Sequence, residues 1–238
     1  MSLDESGNEP MVMKLEEVVP FGRSMDEYKK MFLLSDDDLS KKIVGVGDGP
    51  ASFNAEMSEL GKSVVSVDPI YIFSADEIEK QFYAVIDNII SQVKTTPEDW
   101  VWSYHRSPDH LKENRIKVIK RFLTDFENGI AERRYVPGEL PELSLNGAKF
   151  DLALCSHLLF LYSDHLTYEF HRTSVLNMLA LASEVRIFPL LTLMLRPSPY
   201  VSLLIDELEA IGFTVTVEKS SYELQKGGNE MLRIKKAV

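Results

Sequence analysis

Apolar positions along this chain fall into two periods, and the alternation between them predicts its architecture. Lys42-Ile43-Val44-Gly45-Val46 reads as a short β-branched strand, followed by a glycine-punctuated turn at Gly47 to Pro50. A helix is expected from about Ser52 to Leu60, stopped by Gly61. A second strand, Ser63 to Val67, ends on Asp68. Upstream, Met25, Tyr28, Met31 and Phe32 have helical spacing, which predicts a short helix within Met11 to Leu39; Met1 to Pro10 is polar and acidic and reads as a disordered start.

From Ser74 to Asn128 the pattern is helical throughout. Ser74 and Glu77 form a capping box, and Ile78, Phe82, Val85, Ile89 and Val93 then repeat at helical spacing. Thr96-Pro97 and Ser107-Pro108 each read as an N-cap followed by proline. The second opens a helix carrying Leu111, Ile116, Ile119, Phe122, Leu123 and Phe126. One crossover helix would join two parallel strands, so this stretch predicts a helical insertion. Strands resume at Arg134 to Pro137, Phe150 to Cys155 and Glu184 to Leu193, with helices from His165 to Ser183 and from Ser198 to Gly212. Phe213 to Glu218 and Met231 to Lys235 are the halves of a closing hairpin, and Pro189 marks a bulge or a strand end. The prediction is an α/β fold: a doubly wound, mostly parallel seven-stranded sheet with a terminal antiparallel hairpin and a helical insertion.

Composition fits that picture. The 238 residues are 45% apolar and 26% charged, enough for one large domain with a sizeable core. Residues 1–238 are expected to form a single domain, with segment 1–40 and insertion 71–133 as its cap. Acidic residues outnumber basic ones by 37 to 26, which argues against a protein that coats nucleic acid or an anionic membrane. Lys112, Arg115, Lys117, Lys120 and Arg121 make one helix locally basic; their spread around it reads as a solvated face rather than a nucleic-acid stripe. The single cysteine, Cys155, sits in an apolar strand and reads as an inert core residue in a reducing compartment. No leader pattern opens the chain, and the richest apolar stretch, Ile187 to Leu195, is too short to span a bilayer, so a cytoplasmic protein without a membrane partner is expected.

The chemistry concentrates on the glycine turn. Small residues let backbone approach a ligand, the following helix offers unpaired N–H groups, and Asp68 is placed to accept hydrogen bonds from a ribose diol. No Gly-Lys-Ser/Thr follows, which excludes a P-loop. Pro50 lacks an N–H and bulky Phe53 follows it, a poor pyrophosphate cradle that disfavours an NAD(P)-dependent oxidoreductase. A cofactor carrying adenosine without phosphate suits the turn better.

These residues resemble the class I S-adenosylmethionine-dependent methyltransferases. Lys42-Ile43-Val44 followed by Gly45, Gly47, Gly49 and Ala51 is similar to the family's first motif, and Gly61 and Asp68 fall at its later positions. Val136-Pro137-Gly138-Glu139-Leu140-Pro141 resembles the third-strand motif, and Phe150 to His157 resembles the fourth strand, whose end faces the methyl donor. Gly49 to Glu56 and Asp68-Pro69-Ile70-Tyr71 look like a bacterial subgroup of that family. The resemblance implies S-adenosylmethionine as cofactor, held by Gly47, Asp48, Gly49, Ala51, Asp68, Pro69, Ile70, Gly138, Glu139, Leu140, Ser156 and His157, and a small or medium molecule as methyl acceptor. Gly45 departs from the pattern, since the family usually has an acid there. Asp48 is a candidate substitute, as are Arg23 and Tyr28 from a segment that folds over the cofactor in many such enzymes; Arg23 would suit the methionine carboxylate. A catalytically silent binding protein is the alternative that Gly45 suggests.

His157 is the candidate base or orienting group, with Tyr162, Asp164 and His165 as further lining candidates. His165, Glu169 and Arg172 would share a helix face, read with His171 as a polar face and not a metal site. Trp100, Trp102, Tyr104, His105 and Arg106 form either a substrate clamp or a satellite core, with the core favoured.

Overall fold

A computed structural model describes residues 21–145 and 147–236. Strand residues that alternate in sequence point to opposite faces, and here both faces of the central strands are buried. In β1 (Ile43–Val46) and β4 (Phe150–Ser156), Ile43, Leu152 and Leu154 enter one core, while Val44, Val46, Ala153 and Cys155 enter the other. Cys155 is fully buried, as expected of an inert thiol, and burial pushes its pKa up to about 12.

The remaining strands are β2 (Val64–Val67), β3 (Tyr135–Val136), β5 (Ala182–Phe188), β6 (Phe213–Lys219) and β7 (Glu230–Lys236). They form one seven-stranded sheet of order β3-β2-β1-β4-β5-β7-β6, in which β1 to β5 pair in parallel and β7 runs antiparallel to both β5 and β6. The doubly wound sheet with its closing antiparallel pair is therefore present. The order reverses between β1 and β4, and open α/β sheets bind ligands beyond the strand ends at such a point.

Helices cover both faces. One core holds α1 (Met25–Met31), α2 (Phe53–Glu59), α3 (Ala75–Thr95) and α4 (Pro108–Ala131); the other holds α5 (Tyr168–Leu181) and α6 (Tyr200–Ala210). Side chains start them: Ser24 with Glu27, and Ser74 with Glu77, are reciprocal capping boxes, and Ser107 Oγ accepts from His110 N at 3.1 Å. Gly61 takes φ +67°, the left-handed turn that stops α2. The insertion packs against the sheet: Phe122 and Phe126 of α4 contact Tyr71 and Tyr135.

Some local expectations shift. In α3, Ile86 and Ile90 face the core while Val85 is half-buried. Pro97–Asp99 forms only a single 3-10 turn, and the Thr96 hydroxyl accepts from Trp100 Nε1 at 3.0 Å instead of capping it. Helix α5 begins at Tyr168, capped by Thr167, so His165 lies outside it and shares no helix face with Glu169 and Arg172. Strand β5 ends at Phe188, where Pro189 follows through a cis peptide. The closing hairpin is present, and its connection, residues 220–229, carries buried Tyr222 and Leu224 to the wall of the cavity described below. Among the described residues no helix is long and apolar enough to cross a membrane. The expectation for Met1 to Pro10, and the first half of segment 1–40, lie outside the described residues.

Candidate functional site

The glycine turn leaves β1 at Gly47, which adopts φ +69° and has no room for a side chain, since a Cβ would lie 2.6 Å from Leu158 Cδ2. Its N–H donates to Val67 O at 2.9 Å, fastening the turn to β2. Asp48 is buried and folds back over β1. Its Oδ1 accepts from Tyr28 OH at 2.5 Å and its Oδ2 from Ser66 Oγ at 2.6 Å. Asp68, at the end of β2, accepts from Gly49 N at 2.8 Å and Ile70 N at 3.0 Å. Burial pushes both carboxyls up to about 6, against the hydrogen bonds that favour their charged forms.

The N-terminus of α2 is covered by its own chain. Ser52 N donates to Arg23 O at 3.1 Å, and a Cβ on Gly22 would fall 2.1 Å from Pro50 O. Phe53 is fully buried and stacks on Tyr28, with ring centroids 4.3 Å apart. The N–H at the N-cap of α2 is thus taken by Arg23 O, and Gly22 packs on the Pro50–Ala51 peptide before it.

Above the switch point lies a cavity of about 1000 Å3. Gly47, Asp48, Gly49, Asp68, Pro69 and Ile70 line one side of it. Gly138, Glu139 and Leu140 continue that wall from β3, and Ser156 and His157 from β4. Arg23 and Tyr28 line it from the N-terminal segment, and Tyr162, Asp164 and His165 from the stretch before α5. Ala51 does not reach the cavity: it is buried in the core beneath Gly22, because the chain turns inward after Pro50. Phe21, Ile89, Val93, Leu111, Phe188 and Leu224 make much of the remaining wall apolar.

His157 holds a left-handed φ of +54°, donates its N–H to Phe188 O at 2.7 Å, and packs its ring edge-on to Phe188. Ser156 Oγ lies 2.8 Å from its Nδ1. Burial, and then Arg23 and Arg115, drive the imidazole pKa well below its ordinary value, so the ring is neutral and a weak base. It can orient a ligand through hydrogen bonds; it is not poised as a proton acceptor near neutrality. His171 belongs to the core, with its ring nitrogens 2.8 Å from Leu159 O and Thr167 O. Of the aromatic cluster only Trp100 lines the cavity; Trp102 and Tyr104 pack on the core, and His105 is fully buried.

The composition of the basic helix conceals one residue of a different kind. Arg115 is 1% exposed, lines the cavity, and donates through Nη1 to Glu27 Oε1 at 2.8 Å and Oε2 at 3.0 Å. Burial alone would raise the Glu27 carboxyl; Arg115 and His105 outweigh it and hold it well below the usual range. Tyr222 joins from the β6–β7 connection, its hydroxyl donating to Glu27 Oε1 at 3.1 Å and lying 3.0 Å from His105 Nε2. Neighbouring Lys112 and Arg121 are half exposed and pair with Asp87 and Glu59. The sequence does carry a clue to Arg115: it stands on the stripe of Leu111, Val118, Phe122 and Phe126, where a charge needs a buried partner.

No protein-family model matches the chain. Solved structures align with it at low identity. The magnesium protoporphyrin IX methyltransferase of Synechocystis PCC 6803, crystallized with bound SAM, is 13% identical, with a TM-score of 0.48 over 90% of this chain and 78% of that one. A TehB-like SAM-dependent methyltransferase from Corynebacterium glutamicum is 13% identical, with a TM-score of 0.42 over 83% and 80%. Neither likeness is close enough to carry chemistry across. In sequence, the uncharacterized protein MJ0045 of Methanocaldococcus jannaschii is 31% identical over 225 residues, which cover 94% of this chain and 99% of that protein. The chain belongs to the same family as MJ0045.

Proposed function

We propose that this protein binds S-adenosylmethionine and transfers its methyl group to a small or medium acceptor held in the same cavity. The observation that carries the reading is the placement of Asp48. Its carboxylate fills the space of the missing Gly45 side chain, where a Cβ would lie 1.9 Å from Oδ2. The acid absent from the first motif position is thereby supplied from three residues later, which removes the motive for a catalytically silent reading. The Ser52 N–H engaged by Arg23 O, and Pro50, which has no N–H, leave fewer donors for the diphosphate of a dinucleotide.

The residues fit such a cofactor. Asp68 faces the cavity with a carboxylate already oriented by two backbone N–H groups, the arrangement that would receive a ribose diol. Gly138, Glu139 and Leu140 form the wall beside it, where the adenine would lie. Arg23, half-buried at the other side, offers a guanidinium for the methionine carboxylate. The bound cofactor supplies an activated methyl group, so the protein has mainly to align the acceptor and exclude water. Neutral His157, next to Ser156 at the end of β4, orients the acceptor there without taking a full proton charge.

About 1000 Å3 is the upper end of the range for small-molecule sites, which leaves space for an acceptor beside the cofactor. The acceptor side is walled by the insertion and the N-terminal segment, which act as a cap over the sheet's ligand-binding end. Calorimetry with S-adenosylhomocysteine, NAD and NADP tests the reading. Binding of S-adenosylhomocysteine alone supports it, and no heat from that ligand at millimolar concentration overturns it.

A further inference from the structure

The two edges of the sheet differ in kind. At one end β3 has only two residues, Tyr135–Val136. At the other end β6 has seven, Phe213–Lys219, paired with β7 in unbroken register from Phe213–Lys236 to Lys219–Glu230. It contains neither a proline nor a bulge. A strand sends alternate N–H and C=O groups to its two sides, and those on the outer side of β6 have no backbone partner among the described residues. An edge this long and regular is a template for another strand, because half of its ladder is already in place.

The strand is complementary to itself. An antiparallel copy, related by a two-fold axis through Thr216 and perpendicular to the sheet, sets Thr216 opposite Thr216, Val215 opposite Val217, Thr214 opposite Glu218 and Phe213 opposite Lys219. All seven residues then have a counterpart. Apolar side chains meet on the face where Val215 enters the core, and on the other face the Thr214 hydroxyl meets the Glu218 carboxylate. No like charges are opposed, whereas an axis through Glu218 would set two carboxylates against each other. The chain as a whole carries a net charge of −11, but β6 has one acid and one base, so its edge is free of that repulsion. Apolar surface is also left at this end of the molecule. Helix α6 packs beside β6 through Leu204 and Leu208, which share a core with Val215. Val217 on β6, Leu203 on α6 and Ile211 at its C-cap remain 45%, 54% and 55% exposed.

We infer that β6 docks on β6 of a second copy of this chain, giving a two-fold dimer in which the two sheets run on as one. The dimer stands apart from the methyl-transfer reading and does not need it. Each strand supplies the outer ladder that the other lacks, and Val217 is covered by Val215 of the second copy. The connection 220–229 leaves β6 at Lys219 on its way to the cavity wall, so the interface braces the strand from which that wall departs.

Sedimentation velocity of the full chain, from micromolar to submillimolar concentration, is expected to show a species of twice the 27.1 kDa chain mass. Thr216→Glu and Thr216→Lys each set like charges across the axis at an exposed position, and each should weaken the dimer at least about tenfold. Mixed in equal amounts, the two variants should recover it as a heterodimer, because a glutamate then faces a lysine. Amide exchange on the wild-type chain needs no variant: the outer N–H groups of β6 should exchange more slowly as the chain concentration rises through the dimer range. A monomer at every concentration overturns the inference and leaves the edge to a different partner. So does a dimer that persists in both folded variants, or one whose β6 amides exchange as fast as in the monomer. A mixture of the variants that stays monomeric overturns the axis at Thr216.

Discussion

Asp48 occupies the side-chain space of Gly45: a Cβ built on Gly45 would lie 1.9 Å from Asp48 Oδ2 and 2.4 Å from its Cγ. Gly45 is a glycine because the next turn returns an acid to its position. Gly45→Ala is therefore expected to expel that carboxylate from its bonds with Tyr28 and Ser66, at the roughly 1–3 kcal/mol typical of overpacking. Thermal unfolding reads the loss and calorimetry with S-adenosylhomocysteine reads the site. The exchanged double variant Gly45→Asp with Asp48→Gly should regain much of the binding, and a double variant no better than Gly45→Ala would refute the equivalence of the two positions.

The Asp48 carboxyl sets a pH dependence of known sign. Burial raises its folded pKa to about 6, above the ordinary 3.8, so the unfolded chain releases this proton first. Between pH 3.8 and about 6 the folded state is progressively penalised, and above about 6 the penalty is constant. Asp48→Asn removes the titration. Relative to wild type, the variant should gain up to about 3 kcal/mol of ligand-free stability between pH 4 and pH 7. Urea melts at the two pH values measure the gain, and a difference that is flat or of the opposite sign rules the assignment out.

Burial of the His157 ring predicts that its imidazole titrates well below the ordinary histidine midpoint of 6.5. A midpoint near 6.5 that disappears in His157→Asn would return the residue to the role of a general base. Asparagine is the conservative choice, since φ +54° costs other residues about 1 kcal/mol.

Asp68→Ala removes the acceptor of Gly49 N and Ile70 N together with the proposed ribose contact. S-adenosylhomocysteine should bind at least about 1.5 kcal/mol more weakly, the scale of a lost hydrogen bond to a charged group. Unchanged affinity would place the ribose elsewhere.

What was legible in the sequence follows from how local its cause is. The glycine turn, Asp68 at a strand end, the capping box at Ser74 and the stop at Gly61 are each written within a few residues, and the structure contains them. A continuing apolar pattern hides the Thr167 cap, so the expected helix starts at His165 where the observed one starts at Tyr168. Ala51 matches the motif spacing, yet its direction is set by Gly22 packing on Pro50, a contact that no pattern in the motif encodes. The roles of Arg115 and Tyr222 depend on Glu27, 88 and 195 residues away in sequence, and no local pattern names that partner. A count of charges on α4 treats Arg115 as one more surface cation.

Glu27 serves both as the capping-box acid at the start of α1 and as the ion partner of Arg115 on α4. A seven-residue helix is too short to persist in isolation, and its cap carboxylate is buried against a cation contributed from far along the chain. The N-terminal wall of the cavity and the insertion should therefore assemble as one cooperative unit. Amide protons of α1 and α4 are expected to exchange with a common opening free energy, and Glu27→Gln should loosen both helices together, so that the site forms whole or not at all.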